Sequence, residues 1–166
     1  MKSRLLIVGG GLMILLVIIM VVGTLLSSGK SGTQIYADLA AEQQEIMRVA
    51  QSGFNISVDP ATRGIAATAE LSLASQQKRL IEQLKANGNK INDKDLLRKK
   101  SSQNDKALEQ AKIGGRFDET FLTLLRTLLT AYISHATVAY KQTKDNKIKV
   151  ILADAVNSST VLVKKP

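Results

Sequence analysis

Cysteine is missing from the chain, and so is tryptophan. Without cysteine there is no disulfide, no thiolate metal site, no thiol nucleophile and no cysteine-linked lipid anchor. Such a domain relies on packing alone. Aromatic residues make up only 4% of the 166 residues, so any core has to be built from Leu, Ile, Val and Ala. A helical bundle tolerates that better than a small sheet does. Proline occurs twice, at Pro60 and Pro166, so helix breakers are almost lacking.

Catalytic signatures are scarce as well. Histidine occurs once, at His135, and no Glu-x-x-His exists, so the ligand pattern of a di-iron bundle is absent. No Gly-x-Ser-x-Gly marks a serine nucleophile. Gly29-Lys30-Ser31 lacks the upstream glycine of a phosphate-binding loop. These gaps argue against an enzyme and against a resident metal or cofactor. His135 lies on the flank of an apolar arc and is expected to be a partly buried histidine with a hydrogen-bond partner. Glu42 and Glu45 share a helix face and read as surface residues that aid solubility.

What the chain does have is one long apolar run. Leu5 to Leu26 is 22 residues without a charge. At 1.5 Å per residue a helix of that length spans about 33 Å, enough for a hydrocarbon core of about 30 Å. It is too long for the apolar core of a cleavable signal, and Thr24-Leu25-Leu26 is not a small-x-small site. Lys2 and Arg4 precede it, which favours a cytoplasmic N-terminus and places everything after it on the far side. Ser27-Ser28-Gly29-Lys30-Ser31-Gly32 reads as a short flexible linker.

Four segments beyond the linker show helical periodicity. The first covers about 33–52, with Ile35, Leu39, Ile46 and Ala50 on one face and Gly53 placed to end it. The second opens on Asp59-Pro60, a cap followed by a first-turn proline, and closes at Asn87-Gly88. Its stripe is Ile65, Ala69, Leu73, Leu80 and Leu84. The third covers about 118–141, with Leu125 and Leu128 near the centre of a broad apolar arc. The fourth covers about 145–162 through Ile148, Ile151, Leu152, Ala155 and Leu162. A polar stretch at 93–112, ended by Gly114-Gly115, reads as a weak helix or a long crossover. Asp59, Arg63, Ile65, Ala67 and Ala69 repeat the spacing of Asp145, Lys149, Ile151, Ala153 and Ala155. Each set opens the second helix of a hairpin.

Charge is uneven. The formal total is +9. Residues 78–112 hold ten Lys/Arg against five Asp/Glu, whereas residues 30–77 hold three against five. Lys94, Arg98, Lys99 and Lys100 are the candidate contacts for an anionic polymer; a solvated helix face is the plainer account of the same residues. Nucleic acid is not expected as a partner.

Asp59-Pro60…Arg63-x-Ile65-Ala66, Phe117-Asp118-x-x-Phe121-Leu122-x-x-Leu125 and Lys144-Asp145-x-x-Ile148-Lys149 together resemble a family of ferritin-like four-helix domains of the bacterial envelope. Its members are domains of unknown function or outer-membrane proteins. The resemblance covers about residues 34–162 and implies a fold rather than an activity. Leu73 and Leu129 stand where that family carries histidines, so no metal role carries over.

The expectation is therefore an all-α chain in three parts. Residues 1–27 are a membrane anchor, 28–33 a linker and 34–166 a four-helix bundle with a crossover at about 89–116. The anchor enters the lipid bilayer with the N-terminus cytoplasmic and the domain extracytoplasmic. The domain acts as an interaction or structural module toward a protein partner in the envelope. The alternatives are a degenerate ferritin-like metal or redox protein and a polyanion-binding surface protein.

Overall fold

A computed structural model describes residues 32–164. The apolar run at 5–26 and most of the linker lie outside them. Among the described residues no helix is long and apolar enough to cross a membrane. These residues form six helices and no strand: α1 (Gly32–Ile56), α2 (Pro60–Ala86), α3 (Asp93–Leu97), α4 (Ser102–Ile113), α5 (Phe117–Gln142) and α6 (Asn146–Lys164). The all-helical bundle expected from the periodicity is present.

The starts of the helices are written in side-chain oxygens. Asp59 caps α2, accepting from the backbone N–H of Thr62 at 2.9 Å and of Ala61 at 3.3 Å. Asp145 does the same for α6, accepting from Lys147 N at 2.8 Å and Ile148 N at 3.2 Å. The repeated spacing noted above thus marks two equivalent caps. It also marks two equivalent close approaches, since Ala69 and Ala155 are both fully buried. The polar stretch resolves into α3 and α4. Asn92 and Asp95 form a reciprocal capping box at the start of α3, and Ser101 caps α4. Gly88 and Gly115 adopt positive φ, 80° and 68°. Each lets the backbone fold back so that Asn89 N reaches Leu84 O and Arg116 N reaches Ala111 O, both at 2.9 Å.

Two boundaries differ from expectation. α1 begins at Gly32, so the last two linker positions are helical. It also runs through Gly53 to Ile56 instead of stopping there. Gly53 is buried against Phe121 of α5, so the glycine serves a close helix approach and not a helix end.

The four long helices pack in the cyclic order α1, α2, α6, α5. α2 ends beside the start of α6, where Asn87 Nδ2 donates to Asp145 Oδ2 at 2.7 Å. α5 starts beside the α1–α2 turn, where Asp59 N donates to Asp118 Oδ2 at 3.3 Å. The connection between α2 and α5 must therefore run the length of the bundle. It does so with α3 packed on α1 and α4 packed on α5.

The core is aliphatic, as composition demands. Leu39, Ile46, Leu73, Leu80, Leu84, Leu125, Leu129, Ile148 and Leu152 are fully buried around Phe121 and Tyr132. Phe117 and Phe121 stack with ring centroids 6.1 Å apart. The arc of α5 is rotated slightly from the expected one. Leu125, Leu129, Tyr132 and Ala136 form its centre, and Leu128 is only partly buried at its edge.

Candidate functional site

Below the crossover, α1 presents three carboxylates in a row. Asp38, Glu42 and Glu45 are spaced by four and three residues, which puts them on one face of the helix. All three are buried, at 6%, 9% and 5% exposure. The expectation that Glu42 and Glu45 lie on the surface is wrong. A buried carboxylate needs compensating partners, and each one has them.

Asp38 Oδ1 accepts from Arg98 Nη2 at 2.9 Å and from Gln34 Nε2 at 3.3 Å. Glu42 sits between two groups. Its Oε2 lies 2.9 Å from His135 Nδ1 on α5, and its Oε1 lies 3.6 Å from Lys99 Nζ. Facing a carboxylate, that ring nitrogen is the donor and carries the proton. Glu45 accepts a two-pronged bond from Arg48, Nε to Oε2 and Nη2 to Oε1, both at 2.8 Å. It also accepts from Asn104 Nδ2 at 2.7 Å and from the Ser101 backbone N–H at 3.3 Å. Arg48 extends the network to Asp105 of α4. Its hydrogen bonds to Glu45, and after them the bond to Asp105, hold the guanidinium above its ordinary value against burial, which pulls it down.

The row therefore works as a fastener. Each carboxylate of α1 meets a donor from the crossover: Arg98, Lys99, then Asn104 with the backbone of Ser101. Beneath it, Tyr132 accepts from Gln43 Nε2 at 2.7 Å. Burial, followed by the nearby charge of Glu42, pushes the Tyr132 hydroxyl well above its ordinary 10.0.

The four cations singled out in the sequence are divided by this geometry. Arg98 and Lys99 are engaged on α1, while Lys94 and Lys100 are exposed. His135 is buried with a hydrogen-bond partner, as expected. What sequence reasoning missed is the acidic row. The spacing of Asp38, Glu42 and Glu45 was visible, but their partners on the crossover and α5 lie about one third to over one half of the chain away.

Chemically, the row holds charge in place. Among the described residues no group of three or more Asp, Glu or His side chains is gathered in a metal-holding arrangement. A shallow groove lies between α2 and α6, bordered by Arg79, Gln83, Lys147 and Val150. Arg79 is already paired with Asp154 across it, at 2.8 Å. Comparison with family models, with curated proteins and with solved structures gives no match for this chain.

Proposed function

We propose that this chain is a single-pass, membrane-tethered module of the cell envelope whose extracytoplasmic helical bundle serves as an interaction or structural element. The tether is the apolar run at 5–26, and Lys2 and Arg4 orient it. The bundle is of the ferritin-like type. Support for that type comes from the cyclic order of the long helices and from a connection that spans the bundle between the second and third of them.

One observation carries the non-catalytic half of the reading. Glu42 lies beside the chain's single histidine, the pairing a degenerate metal or redox site would need. Both of its oxygens lie within 3.0 Å of His135 Nδ1, and Oε1 also lies 3.6 Å from Lys99 Nζ of the crossover. A cation supplied by the chain stands next to the carboxylate, and its role there is to bind the crossover to α1. The interior charges are spent on holding the fold together, which leaves the surface to meet partners.

The test is a fractionation of cells making the full chain. The reading expects the chain to stay in the membrane pellet through an alkaline carbonate wash. It also expects protease added to intact spheroplasts to remove the bundle. Release by carbonate, or full protection from protease, would reject it.

A further inference from the structure

The two ends of the bundle differ in charge. Thr33 Oγ1 donates to Asn89 Oδ1 at 3.0 Å, and Asn87 Nδ2 donates to Asp145 Oδ2 at 2.7 Å. These bonds bring the start of α1, the end of α2 and the start of α6 to one end. The segments that form this end are 85–95 and 141–147. They carry six lysines, Lys85, Lys90, Lys94, Lys141, Lys144 and Lys147, against Asp93, Asp95 and Asp145. All six lysines are exposed. Two of the three carboxylates are engaged in caps: Asp95 accepts from Asn92 N, and Asp145 accepts from Lys147 N and Ile148 N. The opposite end is formed by 51–64, 109–120 and 160–164. It is balanced, with Arg63, Lys112, Arg116 and Lys164 against Asp59, Glu109, Asp118 and Glu119.

The lysine-rich end is also the one from which α1 leads back to the apolar run. Five residues, 27–31, separate Leu26 from Gly32. At full extension they reach roughly 17 Å. If the run spans a bilayer, this end is held at the headgroup layer. Exposed charge there acts over a screening length of about 8 Å at physiological salt, so such a tether keeps lysines within range of the surface. The balanced end is held away from it by the length of α1, about 37 Å for 25 residues.

We propose that the end of the bundle bearing Lys85, Lys90, Lys94, Lys141, Lys144 and Lys147 is a docking face for anionic lipid headgroups, which sets the bundle upright on its own membrane. The face rests on the tethered reading. Lysine suits the role because its ammonium is a point charge on a long stem and needs no fixed geometry toward a fluid array of phosphates. Arg98 takes no part, since it is engaged on Asp38.

The test uses the full chain in lipid nanodiscs of phosphatidylcholine alone and of phosphatidylcholine with phosphatidylglycerol. Amine acylation of each lysine is read by mass spectrometry. Lys90, Lys94 and Lys144 are expected to label at least about threefold more slowly in the anionic discs, and about 0.5 M salt is expected to remove the difference. Lys112 and Lys164, at the balanced end, are expected to label equally in both. In a K90E/K144E variant, Lys94 labelling is expected to lose its dependence on lipid charge. Equal rates in the two discs with the chain incorporated would overturn the docking face and leave the tether standing. Protection given by soluble polyphosphate but not by anionic lipid would also overturn it. A chain that enters neither disc would overturn the tether first and the face with it.

Discussion

Gly53 of α1 lies so close to Phe121 of α5 that a Cβ at residue 53 would overlap the Phe121 ring. The ring is fully buried, stacked on Phe117, and has little room to retreat. Gly53→Ala is therefore expected to destabilise the bundle by about 1–3 kcal/mol, the usual cost of overpacking. Gly64 on α2 is the internal control. It is exposed and a Cβ there meets nothing within 4 Å. Gly64→Ala is expected to stabilise by about 0.5–1 kcal/mol through helix propensity alone. Urea melts of the two variants should move in opposite directions. Pairing Gly53→Ala with Phe121→Leu should recover part of the loss.

The crossover offers a second contrast. Leu125→Ala opens a cavity in the core and is expected to cost about 2–5 kcal/mol. Lys100→Ala, on an exposed link, is expected to change stability by less than about 0.5 kcal/mol. Glu42→Ala leaves His135 and Lys99 without their acceptor. Because Lys99 still reaches solvent, at 27% exposure, the expected cost is about 1–3 kcal/mol. Hydrogen exchange should localise that loss to α3 and α4 and leave α2 and α6 unaffected. A uniform loss across all helices would mean that the row supports the whole core instead of fastening the crossover.

Much of this architecture was legible in the chain, and the physical reason is locality. Asp59-Pro60, Asp145 and Asn87-Gly88 act on backbone groups a few residues away, so their meaning can be read in place. The apolar stripes act through a period. Glu42 and Glu45 are different. Their stripe looks like any solvated acidic face until Lys99, Asn104 and His135 arrive from 57, 59 and 93 residues further along. Gly53 misleads for the same reason. A glycine after a helical run looks like a stop, and only the distant Phe121 shows that the helix continues past it. Leu128 sits at the edge of its arc, and one step of helical phase separates it from Leu129 inside.

Acid should weaken the fold through its caps. Asp145 is held below the ordinary 3.8 by its bond from Asn87 and then by the Ile148 backbone. Asp59 is held below it by the Thr62 hydroxyl and then by the Thr62 backbone. A lowered folded value means that the stabilisation is present above the unfolded value and is lost as pH falls through the folded one. Melting temperatures should drop below about pH 4, and Asp59→Asn with Asp145→Asn should flatten that limb. Tyr132 gives the opposite limb. Its value is raised from 10.0, so stability is complete below that pH and declines above it. Tyr132→Phe should remove the alkaline decline.

The same geometry bears on metal content. With Glu42 held between His135 and Lys99, the full chain purified in detergent is expected to carry well under one equivalent of iron, copper, manganese or zinc. Elemental analysis giving two irons per chain would restore the metalloprotein reading.

The most direct test of the tethered, outward-facing bundle is its topology in a bacterial host. Alkaline phosphatase fused after Pro166 folds only outside the cytoplasm, so an active fusion is expected. A fusion of a cytoplasm-only fluorescent protein at the same place should be dark. Moving the charges by changing Lys2 and Arg4 to Glu should reduce the phosphatase signal. An inactive phosphatase fusion with a bright fluorescent one would place the bundle in the cytoplasm and contradict the account.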